Sequence, residues 1–360
     1  MISLFKVGFF ASLVLIPFSE RSEMKTTTTT GPSAKANAVT LVRKDAEKKV
    51  EVHVNGELFT AYLYPTTIDK PVLYPIKSVN GNDISRGYPL APRAGERVDH
   101  PHHIGVWFNY GDVNGLDFWN NSDAIPADKK SAYGSIIHTG ILKAKDGKDK
   151  AELEVAMDWV TSTGEVLLKE KTTFVFSVDG NKRIIDRITT LTAQSKEVAM
   201  TDNKEGMLGI RVARELEHPS NKPEIFTDAS GIATAVPSLN NEGVTGMYRS
   251  SAGKEGDDVW GTRGTWVNLS GEIKGEKIDL AIVDHPSNPG YPTYWHARGY
   301  GLFAANTLGQ KALSDGKDEL NFKIAPGKSA TFRYRIVVNS DGDVTDQTMN
   351  KEFESFSKVK

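Results

Sequence analysis

The sequence predicts an all-β protein built as one large antiparallel β-sandwich. Many short stretches alternate apolar and polar residues with a period of two and are rich in β-branched and aromatic side chains. Asn-Gly and Asp-Gly turn signals separate several of them, as at residues 55–56, 146–147 and 179–180. Convincing helical periodicity is confined to the C-terminal tail, residues 343–356. Short strands at this spacing are typical of two facing antiparallel sheets.

The predicted strands follow one another along the chain in two series. The first series covers residues 40–42, 50–54, 58–64, 136–142, 151–160, 169–177 and 183–191. The second covers residues 209–216, 264–271, 277–284, 300–306, 319–324 and 329–338. Because no proline-rich linker or charge run divides the two series, we expect a single domain from residue 39 to residue 360.

Residues 1–38 are predicted to be a signal peptide followed by a flexible leader. The apolar run from Val7 to Phe18 comes after Lys6, and it is too short to span a bilayer but suits a secretory segment. From Glu20 to Ala38 the chain has almost no bulky apolar side chains and cannot contribute to a core. We therefore expect an exported protein, either periplasmic or extracellular, without a membrane span.

The composition narrows the chemistry of the protein. Its 44 basic and 46 acidic residues leave a net charge of −2, which argues against a nucleic-acid binder. The absence of cysteine removes disulfides, thiolate metal sites and cysteine nucleophiles. Phosphate-binding glycine loops, the serine-hydrolase elbow and the zinc-protease helix motif are also absent from the sequence. Histidine, aspartate and glutamate remain as reactive groups, and a small-molecule or saccharide ligand is the expected partner.

The segment from Asp99 to Trp119 contains three of the eight histidines. If residues 103–110 form a strand, His103, Trp107 and Asn109 share one face and apolar residues occupy the other. An imidazole, an indole and an amide suit a polar ligand with an apolar face, so His103 is a candidate acid and the other two are candidate substrate contacts. The alternative is that His103 and Trp107 are satisfied core residues.

The loop after this strand carries two more candidate substrate contacts, Asp112 and Asn114. Side chains of this kind commonly bond to their own backbone in simple turns, so a purely structural role stays open.

His100 and His102 form an H-x-H pair in an extended segment, an arrangement suited to a divalent metal. Asp112 or Glu215 could complete a triad of two histidines and one carboxylate, although the spacing does not require it.

A second cluster lies between residues 284 and 300. Tyr294, His296, Arg298 and Tyr300 share one face of a predicted strand, and such polar and aromatic groups face either water or a ligand pocket. Tyrosine and arginine together suit hydroxyl-rich or anionic ligands. His285, in the proline-rich loop before this strand, is a further candidate substrate contact.

A third cluster lies on the predicted strand 209–216 and just beyond it. Arg211, Glu215 and Glu217 are expected on one face. An arginine beside a carboxylate keeps it ionised, so Glu215 or Glu217 could act as a general base, with Arg211 as a substrate contact. A salt-bridged surface strand is the alternative.

These clusters resemble a poorly characterised bacterial family of unknown function that carries the label methane oxygenase PmoA. The residues that carry the resemblance are Lys70-Pro71-Val72-Leu73-Tyr74-Pro75, Asp99-His100-Pro101-His102-His103 with Trp107, Gly111 to Gly115 and Asp117-Phe118-Trp119, Gly209 to Ala213, and Asp284-His285-Pro286 through His296 to Asn306. The β-rich build that this implies is similar to the large galactose-mutarotase type of sandwich, in which histidines and a glutamate on a concave sheet act on sugars.

The expected function is that of an exported carbohydrate-active enzyme, an epimerase, lyase or hydrolase. His103 or His296 would give a proton and Glu215 or Glu217 would take one. Two alternatives remain at this point: a metal-dependent oxygenase that uses His100 and His102, and a non-catalytic glycan-binding protein.

Overall fold

The structure is a computed structural model that describes residues 38–342 and 344–360. The predicted signal peptide and leader, apart from Ala38, lie outside the described residues. The first strands are β1 (Val39–Lys44), β2 (Lys49–Val54), β3 (Glu57–Leu63), β4 (Val72–Leu73), β5 (Val106–Tyr110), β6 (Gly134–Lys145), β7 (Lys150–Thr161), β8 (Val166–Asp179), β9 (Lys182–Ala193) and β10 (Val198–Met200). The later strands are β11 (Gly206–Arg211), β12 (Met247–Ser250), β13 (Trp266–Ile273), β14 (Glu276–Val283), β15 (Tyr294–Arg298), β16 (Leu302–Asn306), β17 (Phe322–Ile324) and β18 (Ser329–Ser340).

Helices contribute little to the described part of the chain. The α-helices are α1 (Gln310–Leu313) and α2 (Asp346–Phe356), and the 3-10 helices are Asp45–Glu47, Ala127–Ala132, Arg214–Leu216 and Gly256–Val259. Helix α2 agrees with the helical periodicity of the C-terminal tail. Within residues 38–342 and 344–360, no helix has the length and apolar character needed to cross a bilayer.

The strands form two large antiparallel sheets. Sheet I has the order β1-β2-β3-β4-β5-β11-β16-β15, and sheet II has the order β12-β13-β14-β18-β9-β8-β7-β6. Strands β10 and β17 form a separate two-stranded ladder. This arrangement confirms the prediction of an all-β protein with a large antiparallel sandwich.

The main core lies between the two sheets. Phe108 of β5 packs against Phe332 and Trp159 of sheet II, with ring centroids 5.7 and 6.4 Å apart. Alternate residues of β7, from Ala151 to Trp159, are buried on the same side. Each large apolar side chain removed from water in this way contributes about 1.5–3 kcal/mol before the entropy of ordering is subtracted.

The other faces of the two sheets are covered differently. Helix α2 lies against the outer face of sheet II, where Met349 and Phe356 join a small apolar cluster with Trp266. On the outer face of sheet I a second small cluster contains Trp107 and Trp119. The candidate site is built above this second cluster.

Two predicted strands have different limits in the structure. The strand expected from residue 103 begins only at Val106, because Gly105 before it has φ +52, which is not a strand conformation. Glycine is required at this position, since a Cβ would collide with the carbonyl oxygen of Leu73. The strand expected over residues 209–216 ends at Arg211 and gives way to the 3-10 helix Arg214–Leu216. Glu215 and Glu217 therefore do not share a strand face with Arg211.

Candidate functional site

The site is organised by Asp99, a carboxylate at the entrance to sheet I. Its Oδ1 accepts hydrogen bonds from Arg86 and from Arg211, the latter at 2.7 Å. Burial disfavours the charged form, but Arg211, His100 and Arg86 together lower the pKa of Asp99 below the ordinary carboxyl range. Asp99 is therefore a fixed anion held by two buried guanidinium groups.

His100 is oriented by this anion. Its Nδ1 donates to Oδ2 of Asp99 at 2.9 Å, which leaves Nε2 on the far side of the ring. The ring lies parallel to those of Tyr300 and His103, with centroids 5.3 and 4.8 Å away. The His100 side chain is 42% exposed, so part of the ring is accessible to an incoming ligand.

Glu205 and His296 form a second pair on the same face. Oε2 of Glu205 lies 3.8 Å from Nδ1 of His296. Burial raises the pKa of Glu205, with Lys204 acting in the opposite direction. Burial and then the charge of Arg298 lower the pKa of His296 to about 3, so this ring is neutral. A charge on His100 lowers the pKa of both Glu205 and His296.

The register of sheet I explains why residues so distant in sequence meet. Trp107 pairs with Gly209, Gly209 with Ala304, and Ala304 with His296, in one row across four strands. A Cβ at Gly209 would lie 2.6 Å from the Trp107 ring, so only glycine lets the indole cross β11. The small residues of the middle strands leave room for the larger groups on either side.

A cavity of about 840 Å³ adjoins this face through Tyr300 and Arg298. The Arg298 guanidinium lies 5.2 Å from the Trp260 ring centroid, and Trp260 is 41% exposed. His218, whose Nδ1 is 3.2 Å from Asp257, forms another part of the wall. An exposed indole beside arginine and tyrosine is a suitable surface for a hydroxyl-rich ligand.

His103 and Trp107 are core residues in the structure, which corrects their expected role in lining a pocket. Trp107 is fully buried under His103 and Trp119. Burial and then the charge of His102 lower the pKa of His103 well below its usual range, so the ring is neutral and remote from solvent. Asn109 is also fully buried, and its Nδ2 donates to the Phe118 carbonyl.

Arg211 and Glu217 of the third cluster are held in buried ion pairs. Glu217 is buried against Arg97, at 2.6 Å, and against Arg214. Arg211 is fully buried between Asp99 and the Tyr300 ring, so it has no surface for substrate. Glu215 lies by a separate cavity of about 380 Å³ that no histidine lines. The expected pairing of Glu215 or Glu217 with a catalytic histidine is therefore not formed.

Three expected substrate contacts hold loops in place. Asp112 accepts from the Gly115 backbone in a turn. Asn114 bonds to the backbone of Ala199 and of residue 197. His285 packs edge-on against Phe356 of α2, on the side of sheet II.

Tyr294 and Arg298 do share a strand face with His296, as the alternation of β15 requires. The Tyr294 hydroxyl donates to Asp318 at 2.7 Å, whereas Arg298 reaches the large cavity. Of these two residues, Arg298 is therefore the one that lines the large cavity.

The described residues contain no group of three or more histidine, aspartate and glutamate side chains placed to hold a metal ion. The triad expected from His100 and His102 with Asp112 or Glu215 is not assembled. His100 is turned toward Asp99, and His102 lies edge-on to His103 at a centroid distance of 4.4 Å.

Sequence reasoning missed Arg86, Arg97 and Glu205. None of them lies in a motif with a distinctive spacing, and each reaches the site from a loop. No pattern in the sequence singles them out.

Several solved structures are similar to this chain at low identity. The galactosidase domain of the α-galactosidase-sucrose kinase AgaSK is 7% identical with a TM-score of 0.41, over 84% of this chain and 42% of that one. The GH36 α-galactosidase AgaA from Geobacillus stearothermophilus, in complex with stachyose, is 10% identical with a TM-score of 0.38, over 84% and 40%. A galactose mutarotase related enzyme from Lactobacillus acidophilus is 9% identical with a TM-score of 0.30, over 85% and 98%.

The chain thus spans less than half the length of the two α-galactosidase chains. A comparison with curated proteins gave no match. A family model described as a family of unknown function, DUF6807, matches residues 49–354, and the chain belongs to that family.

Proposed function

We propose that this protein is an enzyme that acts on a saccharide, with His100 and Glu205 as its acid-base pair. The observation that carries the proposal is the exposed His100 ring, held through Nδ1 by a carboxylate that two arginines keep ionised. A histidine oriented in this way, with its other nitrogen open, is the usual arrangement for general acid-base catalysis.

The two groups suit opposite directions of proton transfer. His100 Nε2 takes a proton from the substrate, and Asp99 stabilises the imidazolium that forms without itself becoming protonated. Burial raises the pKa of Glu205, which is the direction that a general acid requires, and we assign Glu205 the role of proton donor. Epimerisation, elimination and hydrolysis all need such a pair, and the proposal covers these three reaction types.

The saccharide class follows from the walls near the pair. Tyr300 stacks on His100 and also lines the large cavity, where Trp260 and Arg298 are accessible. Aromatic faces pack on the apolar side of a sugar ring, and guanidinium groups donate to its hydroxyls. A cavity of about 840 Å³ is large enough for a disaccharide.

The test is a panel of mono- and oligosaccharides followed by proton NMR in deuterated water. Anomeric interconversion, deuterium incorporation and new products distinguish the three reaction types. With a substrate that is turned over, we expect His100→Gln and Glu205→Gln each to lower kcat at least about 100-fold.

The matched control is His53→Gln. His53 also pairs with a carboxylate, Glu51, at 3.2 Å, but it lies on β2, four strands from β11 in sheet I. The activity of the His53→Gln variant should equal that of the wild type. Full activity of His100→Gln would refute the proposal, and saturable sugar binding without turnover would favour a glycan-binding protein.

Export to the periplasm or the extracellular space remains a proposal supported by the apolar run from Val7 to Phe18. The resemblance to the family labelled methane oxygenase PmoA likewise stays a prediction.

A further inference from the structure

A second cavity lies on the other side of the histidine cluster. It has a volume of about 310 Å³ and differs from the first cavity in every lining residue. Its walls include Ile68, Lys70, Leu90, Pro101, His102 and Ile104. We call it the Lys70 cavity. Apolar side chains alternate in its lining with polar ones, among them Asp69 and Asp123, which favours a small, uncharged organic molecule that carries polar groups.

Lys70 is an unusual residue for such a wall. It is only 3% exposed, and its Nζ donates to the Trp119 carbonyl at 3.5 Å, the long limit for such a bond. Among the described residues no carboxylate forms an ion pair with this Nζ. The carboxylate of the neighbouring residue, Asp69, pairs with Lys130 instead, at 3.3 Å. The amine is thus buried with little to hold its charge.

The protonation of Lys70 follows from this environment. Burial lowers the pKa of Lys70 to about 8, against the opposing charges of Asp69 and Asp117. At pH 7 roughly a tenth of such an amine is neutral, compared with well under a thousandth of an ordinary lysine. The neutral amine is the nucleophilic form.

His102 stands beside Lys70 on the same wall. It is buried, and its Nε2 has no hydrogen-bond partner in the described part of the chain. Burial and then the charge of Lys70 lower the pKa of His102 to about 2, so the ring stays neutral. An unpaired buried ring nitrogen costs stability, which is consistent with a partner that arrives with a ligand.

From this geometry we propose that the Lys70 cavity takes a small aldehyde or ketone and that Nζ of Lys70 forms an imine with it. The amine adds to the carbonyl carbon, a C–N bond forms, and the carbonyl electron pair moves to oxygen. The oxygen takes up the two protons that the nitrogen releases and leaves as water, and the nitrogen lone pair forms the C=N bond of the imine as the C–O bond breaks. No oxidant or reductant takes part. The ligand is placed in a cavity distinct from the His100 face, so this inference does not depend on the proposed function.

The test is reductive trapping on the whole protein with glycolaldehyde and sodium cyanoborohydride at pH 7. Digestion and mass spectrometry then give an alkylation rate for every lysine. We expect Lys70 to react at least tenfold faster than Lys143 and Lys171, two surface lysines that pair with glutamates. Unfolding in urea should abolish this advantage. A rate at Lys70 equal to or below those of the surface lysines would overturn the proposal.

Two variants refine the result. Lys70→Arg keeps a cation over the Trp107 ring, which lies 5.8 Å from Nζ, but it removes the nucleophile and should leave the surface lysines as the only trapped sites. His102→Asn tests His102 as a positioning residue. If it lowers trapping at Lys70 while the thermal unfolding temperature stays close to that of the wild type, His102 acts on the bound carbonyl. Unchanged trapping at Lys70 would remove His102 from the proposal.

Discussion

His100 donates to Asp99 at 2.9 Å, and this bond links an exposed ring to a network of buried charges. The same carboxylate is held by Arg86 and Arg211, and Arg211 in turn lies 4.9 Å from the centroid of the Tyr300 ring that stacks on His100. The position of the exposed histidine is therefore decided by a partly exposed carboxylate and by the two buried arginines that hold it.

Asp99→Asn should destabilise the protein by about 3 kcal/mol, because it leaves two buried guanidinium groups without their anion. Asp45→Asn is the matched control, since Asp45 pairs with Arg43 in an exposed salt bridge, and it should cost less than about 1 kcal/mol. Urea unfolding at pH 7 measures both values. Equal small losses would show that Asp99 does not hold the network together.

The same variant should also change the acid sensitivity of the fold. The pKa of Asp99 is lowered in the folded state, so its contribution is complete above the ordinary carboxyl value of about 3.9 and is lost as the pH falls below it. Asp99→Asn should therefore lose less stability than the wild type between pH 4 and pH 2. Parallel unfolding curves of the two proteins over this range would contradict the assignment.

Glu217→Gln should cost about 3–5 kcal/mol, since Arg214 would lose its buried anion and Arg97 would keep only the exposed Glu224 as a partner. Glu224→Gln is a close control because Glu224 pairs with the same Arg97 at 3.0 Å but is 43% exposed, so it should cost at most about 1 kcal/mol. Denaturant unfolding compares the two variants directly. A smaller loss for Glu217→Gln than for Glu224→Gln would be inconsistent with the structure.

Gly209→Ala should destabilise the protein by about 1–3 kcal/mol, because the new Cβ would lie 2.6 Å from the Trp107 ring and 3.0 Å from Trp119. Gly140→Ala in β6 is the control, as nothing lies within 4 Å of its Cβ position, and it should be neutral or slightly stabilising. Thermal unfolding and tryptophan fluorescence report the two effects. The emission of Gly209→Ala should change if the indole pair moves.

His296→Asn should weaken the dependence of stability on pH. Burial lowers the pKa of His296 to about 3, so between pH 6.5 and pH 3 the unfolded chain binds a proton that the folded chain does not. The wild type should therefore lose about 1.4 kcal/mol per pH unit at this site as the pH falls. The stability difference between the two proteins should be constant above pH 7 and shrink or reverse on acidification. A difference independent of pH would show that the ring has the same pKa in the folded protein as in the unfolded chain.

The alternation of side chains predicted much of the framework. Strands β7, β8 and β9 and helix α2 lie close to their expected positions, because each has a long and regular pattern. The short strands β4, β10 and β12 were missed, since two to four residues carry too little periodicity. The strand around Arg211 ended early because the chain leaves the sheet there to bond with the loop that contains Ile84.

The candidate site was only partly predictable. The sequence singled out both the His100 segment and the strand that carries His296, but it did not give the environment of each residue within them. We expected His103 to line a pocket because strand alternation puts it on the same face as Trp107. The two rings do stack on each other in the structure. The sequence could not show that Trp119 would pack against the His103 ring, or that Lys70 would lie over the Trp107 ring.

The sequence by itself determined the all-β class, the antiparallel strands, the C-terminal helix and the absence of cysteine chemistry. Each of these depends on local spacing or composition, which physical chemistry can evaluate one segment at a time. The tertiary structure decided which histidine is exposed, which arginines hold Asp99, and that Glu205 faces His296. A period of two assigns a side chain to a face of a strand, but its burial and protonation depend on loops that arrive from distant parts of the chain.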